Sequence, residues 1–180
     1  MSQRLNNPGS NEWGYKTVEE GYVKNISHAV IHASDIKASI RFYQLLGFKV
    51  DRIISTDFTK PGDINDIESI PLNSSGSGEY YCVGMGLGRE DPRTITRLEI
   101  MEWVTSPRQA NYLKPAEHLG LVRIAFSVSG VAAIVSRLTA NGHKVDATET
   151  IDISPKLSSV FAHVYDPDGN WLTLMEWIKK

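Results

Sequence analysis

The segment Leu98-Glu99-Ile100-Met101-Glu102-Trp103 returns 74 residues later as Leu172-Thr173-Leu174-Met175-Glu176-Trp177. The stretches leading into each copy also match, in the same order. His28 to Asp51 aligns without a gap onto Arg123 to Asp146, sharing Ser34/Ser129, Ala38/Ala133, Gly47/Gly142 and Lys49-Val50-Asp51 against Lys144-Val145-Asp146. The chain therefore reads as one supersecondary unit used twice. Repeated units place their differences where function lives, so the mismatches His28/Arg123 and Glu99/Thr173 are the residues to explain.

A lobe of about 75 residues buries little surface alone, so the two lobes of this 180-residue chain must share a core or a sheet. Lys and Arg number 19 against 21 Asp and Glu, a net charge of −2 with no basic run or acidic tail. Nucleic acid and membrane are not expected partners. The single cysteine, Cys82, rules out an internal disulfide and suits a reducing compartment. No apolar run reaches spanning length, and residues 1–25 are polar where a signal peptide would be hydrophobic, so the expectation is a soluble cytoplasmic protein.

Residues 1–25 form an N-terminal arm with Trp13 and Tyr15 but no period. The first module spans 26–103. Its Ile26 to Ala33 run alternates like a strand, and Ser34-Asp35 caps a helix whose stripe is Ile36, Ile40, Phe42, Tyr43 and Leu46, ended by Gly47. Phe48 to Thr56 follows as a strand. Residues 57–79 are an inserted loop, with a turn or two of helix at Asp63–Ser69 and a flexible run from Asn73 to Gly78. Such a loop either covers a site or is a solvated excursion. Tyr80–Gly86 and Thr94–Trp103 read as strands joined by a turn at Gly88–Pro92. A linker at 104–120 carries Pro107 and Pro115, and the second module, 121–180, repeats the order. It gives a strand Val122–Val128, a helix Val131–Ala140, a strand His143–Thr150, and a hairpin of Val160–Tyr165 and Trp171–Ile178 through Asp166-Pro167-Asp168-Gly169-Asn170. Each lobe is βαβββ, and the class is α+β.

Strand alternation assigns faces. Ala29, Ile31, Ala33, Leu98 and Ile100, with Ile124, Phe126, Val128, Leu172, Leu174, Val160, Ala162 and Val164, belong under the helices. The second face then carries His28, His32, Arg97, Glu99, Met101 and Trp103 in one lobe. In the other it carries Arg123, Ser127, Phe161, His163, Tyr165, Trp171, Thr173, Met175 and Trp177. So many aromatic and polar groups on one face imply a concave site or an interface, unless they simply pack lobe on lobe.

The combination of His28, Ser34-Asp35, Ser39-Ile40-Arg41-Phe42-Tyr43, Leu46-Gly47-Phe48, Ile124-Ala125-Phe126-Ser127-Val128, Gly142 and Asp166-Pro167-Asp168-Gly169-Asn170 resembles the vicinal oxygen chelate superfamily, from about residue 25 to 178. This group holds glyoxalase I, extradiol dioxygenases, methylmalonyl-CoA epimerase and the fosfomycin- and bleomycin-resistance proteins. The resemblance implies two βαβββ modules forming a cleft, where a divalent metal takes one ligand from the first and last strand of each module. Those positions here are His28, Glu99, Arg123 and Thr173, where the family usually has His at the third and Glu at the fourth. Zinc and non-haem iron need at least three protein donors, and arginine cannot be deprotonated to become one. Placed about 5 Å from a dication at an effective dielectric of about 20, its charge adds repulsion of roughly 7 kcal/mol. No tightly bound cofactor is expected; a weakly held divalent metal on His28 and Glu99 is the remaining option.

The resemblance then implies a small-molecule enzyme, a lyase or isomerase working by acid/base chemistry on a carbonyl or carboxylate substrate. Arg123 replaces the metal's charge, and Glu99 or His28 moves the proton. Arg97, Trp103, Phe161, His163, Trp171, Thr173 and Met175 contact substrate. An Arg123–Glu99 ion pair neutralising a vestigial site is equally compatible with the sequence. The alternative function is sequestration of an aromatic drug or metabolite by the Trp- and Tyr-rich face, as in bleomycin-resistance proteins. The lobes pair within the chain or across a homodimer, which the arm and Tyr112 would support.

Overall fold

The computed structural model describes residues 26–54, 72–75, 78–87, 96–104 and 121–180. The arm, the turns expected at Asp63–Ser69 and Gly88–Pro92, and the linker with Pro107, Tyr112 and Pro115 lie outside them. The elements run β1 (Ala29–His32), α1 (Ile36–Leu45), β2 (Lys49–Ile53), β3 (Asn73–Ser75), β4 (Gly78–Gly86), β5 (Arg97–Trp103), β6 (Ile124–Ser127), α2 (Val131–Ala140), β7 (Val145–Ser154), β8 (Leu157–Tyr165) and β9 (Trp171–Lys179). They build two sheets, ordered β1-β5-β4-β2 and β6-β9-β8-β7. In both, the first strand pairs parallel with the last and the others are antiparallel. Among the described residues no helix is long and apolar enough to cross a membrane.

The repeated hexapeptide has a structural cause. Glu102 ends β5 on the helix-covered side, and its carboxylate accepts the Ile36 N–H at the start of α1 at 2.8 Å. Glu176 does the same from β9, accepting the N–H groups of Gly130 at 2.7 Å and Val131 at 2.9 Å. The first-turn donors of a helix have no partner inside it and carry the positive end of its dipole, so a carboxylate there serves twice. α1 has a second cap in Asp35, which accepts from Lys37 and Ala38. α2 begins at Gly130 (φ +77°), which offers no side chain, and leans on Glu176 alone for a side-chain cap. These hydrogen bonds hold the Glu176 carboxyl below its ordinary range.

Strand extents differ from the sequence pattern where side chains carry no period. The run Asn73–Ser75, expected to be flexible, forms β3 on the edge of β4: β2 covers that edge at Val83–Gly86 and β3 at Gly78–Tyr80. The backbone N–H and C=O groups along this edge of β4 drive this pairing. β7 and β8 reach Ser154 and Leu157, past the expected limits, where Ile151 pairs with the buried Ser159 and Asp152 with the buried Ser158.

Burial confirms the face assignment. Ile31, Leu98 and Ile100 of one sheet, Ala162, Val164, Leu172 and Leu174 of the other, and Ile40, Phe42, Tyr43, Val131 and Leu138 of the helices form one continuous core. The modules meet across it. Phe48 stacks edge-on against Phe126 and Phe42 against His143, while Arg137 Nε donates to the Leu45 carbonyl at 2.7 Å. The buried Tyr43 hydroxyl donates to Asp166 at 2.9 Å, and Asp168 accepts the Ser34 N–H at 3.0 Å. A sheet has two faces. With both covered faces turned to a shared core, the second faces look outward.

Leu174 is fully buried in this core, so Leu174→Ala should cost about 2–5 kcal/mol in denaturant unfolding. The depressed Glu176 carboxyl contributes stability that is complete above the ordinary carboxylate range and is lost as pH falls through its folded value. Glu176→Gln should therefore melt below the wild type at pH 7, with the difference closing as thermal scans approach pH 3.

Candidate functional site

The second face of the first module is a charged cluster. Glu99 sits on β5 with both carboxylate oxygens engaged: Oε2 lies 3.6 Å from His28 Nε2 and Oε1 lies 3.7 Å from Arg52 Nη2. Asp51 lies between two guanidinium groups, 3.3 Å from Arg97 Nε and 3.9 Å from Arg52 Nε. Cys82, buried beside this cluster, has its thiol pushed up to about 12, first by burial and then by the Glu99 charge, so it stays a neutral thiol. Trp103 pairs with Tyr80, ring centroids 5.0 Å apart, at the far end of the face.

Arg52 and Asp51 share a face because of a β-bulge. Val50 pairs with Met85 and Arg52 with Gly84, leaving Asp51 as an extra residue on β2. Strict alternation from the buried Val50 would send Arg52 under the helix; the inserted residue re-aims it. Sequence reasoning missed Arg52 for this reason. The available signal was Gly84, a glycine inside a strand, which marks a bulge or a close approach. A Cβ at Gly84 would lie 2.7 Å from both Cγ and Nε of Arg52.

The second module presents a different set. His163 Nδ1 and Thr173 Oγ1 are 3.0 Å apart, His163 meets the Trp171 ring edge-on, and the Arg123 guanidinium lies over the same indole, 5.2 Å from its centroid. Arg123 is exposed, and Thr173 is buried. Phe161 and Met175, paired across β8 and β9, are partly buried.

The structure thus gathers the nominated positions in two groups. His28, Glu99 and Arg97, joined by Arg52 and Asp51, lie on one sheet. Arg123, Thr173, His163 and Trp171 lie on the other. Among the described residues Glu99 pairs with His28 and Arg52, and an ion pair with Arg123 is not formed. Five buried side-chain polar atoms of the described residues make no hydrogen bond: Asp51 Oδ1, Arg52 Nε, Arg97 Nε, Trp171 Nε1 and Ser39 Oγ. The first four belong to the two second faces.

The fold has counterparts in known proteins. Residues 25–174 match the family model of the Glyoxalase/Bleomycin resistance protein/Dioxygenase superfamily. A glyoxalase family protein from Bacillus cereus is similar in structure, at 18% identity and a TM-score of 0.61, over 89% of this chain and 98% of that one. A glyoxalase family protein from Enterococcus faecalis is 25% identical with a TM-score of 0.53, over 85% and 98%. The trypanothione-dependent glyoxalase I of Leishmania major is 26% identical with a TM-score of 0.50, over 86% and 87%. A search of curated proteins found no match. With its family model spanning most of the sequence and the duplicated βαβββ architecture in place, the chain belongs to the glyoxalase/bleomycin resistance protein/dioxygenase superfamily.

Proposed function

We propose that this chain is a small-molecule enzyme of its superfamily, a lyase or isomerase acting on a carbonyl or carboxylate substrate by acid/base chemistry. We place its sites between two copies of the chain, each site pairing the first-module face of one with the second-module face of the other. The observation that carries this reading is the clustering of buried polar atoms that make no hydrogen bond, those of Asp51, Arg52 and Arg97 being held by ion contacts of 3.3 and 3.9 Å alone and that of Trp171 by neither. Native structures rarely leave buried donors and acceptors unmet, and four of the five here lie on the faces that look outward. The same faces expose Val30, Ile151 and Trp177, the last at 48%, as apolar surface that a second copy would cover.

In such an assembly Glu99 takes a proton from the carbon beside the substrate carbonyl, with His28 at 3.6 Å to share it. Arg123 and Arg97 meet the carboxylate or the enolate oxygen that forms as the proton leaves. The indole N–H of Trp171, buried and unpaired, is a further donor for a substrate oxygen. Trp103, Phe161 and Met175 supply apolar walls, and Thr173 with His163 closes the polar side.

The second reading, sequestration of a flat ligand without turnover, is favoured by the aromatic content of the same faces, notably the Tyr80–Trp103 pair and Trp171.

The dimer predicts a mass of two chains by light scattering, and Trp177→Glu should shift the protein towards single chains by weakening association at least tenfold. A panel of small carbonyl and carboxylate compounds followed by proton NMR should reveal one that is converted, with Glu99→Gln lowering kcat/KM by about 100- to 10,000-fold. Quenching of Trp fluorescence without conversion, unchanged by Glu99→Gln, would select the sequestering reading instead.

A further inference from the structure

We propose that Arg52 is the resident cation of the first-module site: it stands against Glu99 in the place of a divalent metal and closes the His28–Glu99 pair to one. The inference rests on the reading of His28 and Glu99 as a functional pair and goes beyond it, because it concerns the charge that the pair faces.

The superfamily implies a divalent metal, and the residues present do not fit one. Of the four positions that would supply ligands, Arg123 and Thr173 are not the donors such an ion requires, and Glu99 is already committed. Its Oε1 lies 3.7 Å from Arg52 Nη2 and its Oε2 3.6 Å from His28 Nε2. An ion shared by His28 and Glu99 would sit within a few ångströms of a guanidinium. Arginine keeps its proton at any accessible pH, so titration cannot relieve the repulsion. The cluster holds two cations, Arg52 and Arg97, against two anions, Asp51 and Glu99, and is balanced without a metal.

The repeat shows that this cation is built in. Both modules carry the same bulge after a matched valine. In the first, Arg52 opposes Gly84 directly after Val50 opposes Met85; in the second, the shift falls between Val145, opposite Val164, and Thr148, opposite Ala162. At the place of Arg52 the second module has Ala147. The residue across the ladder from the final-strand position changes in concert: Gly84 faces Glu99, whereas His163 faces Thr173. His163 fills its space with an imidazole and bonds to Thr173. Gly84 leaves that space to the stem of Arg52, with no room for even a methyl group, since a Cβ would lie 2.7 Å from Arg52 Cγ and Nε. Arginine on the bulge and glycine opposite it are thus one device, present in one module and absent from the other, and its product is a guanidinium at Glu99.

The test is calorimetric titration of the full chain with Ni²⁺ or Mn²⁺ alone, a readout independent of turnover. Wild type should show no saturable binding into the millimolar range. Arg52→Met should raise affinity at least tenfold, and adding His28→Ala should remove the gain. Gly84→Ala, which keeps the charge but expels the arginine stem, should reproduce the gain in part and supplies the test should Arg52→Met fail to fold. Stoichiometric, His28-dependent metal on the wild type would overturn the proposal. So would folded Arg52→Met and Gly84→Ala proteins that bind no better than wild type, or a gain that survives the loss of His28. Because the titration needs no substrate, a negative turnover screen would count against the enzymatic reading and leave this result standing.

Discussion

The shared core governs everything else in this molecule. Each module is a single sheet, of five strands in the first and four in the second, with one ten-residue helix, too little to bury a full apolar face by itself. The two covered faces merge through Phe48 with Phe126, Phe42 with His143, and the buried Tyr43–Asp166 hydrogen bond. That merger fixes the helices between the sheets and turns both second faces outward. The charged cluster around Glu99 and the aromatic group around Trp171 lie on these second faces, outside the shared core.

Duplication explains what the modules retain. Glu102 and Glu176 are kept because each closes the N-terminus of a helix from the end of the last strand. Asp51 and Asp146 occupy the same bulge, and the backbone N–H groups of Ala33 and Val128 reach the matching carbonyls of Met101 and Met175. These are constraints of backbone hydrogen bonding and strand geometry, so they fall on both copies alike.

What the modules do not share lies on the second faces. Glu99 against Thr173, His28 against Arg123, Gly84 against His163 and Arg52 against Ala147 are four replacements at matched places in one framework. One face became a balanced charge cluster and the other an aromatic wall bearing a single exposed guanidinium. A scaffold whose stability resides in the covered faces can change its second faces with little effect on the core, consistent with the many reactions such folds carry.

The sequence by itself determined the duplication, the βαβββ order and the assignment of Ile31, Leu98, Ile100, Leu172 and Leu174 to the covered faces, because side-chain period and local capping are written residue by residue. It also brought His28 and Glu99 into view, since both stand at positions where the two copies disagree. Two things were decided only in three dimensions. One was Arg52, whose direction depends on an extra residue in the register between β2 and β4, and register is a property of a pair of strands that neither strand encodes alone. The other was the separation of His28 and Glu99 from Arg123 and Thr173, because alternation says which residues share a face but not which way two sheets turn once a common core has been buried.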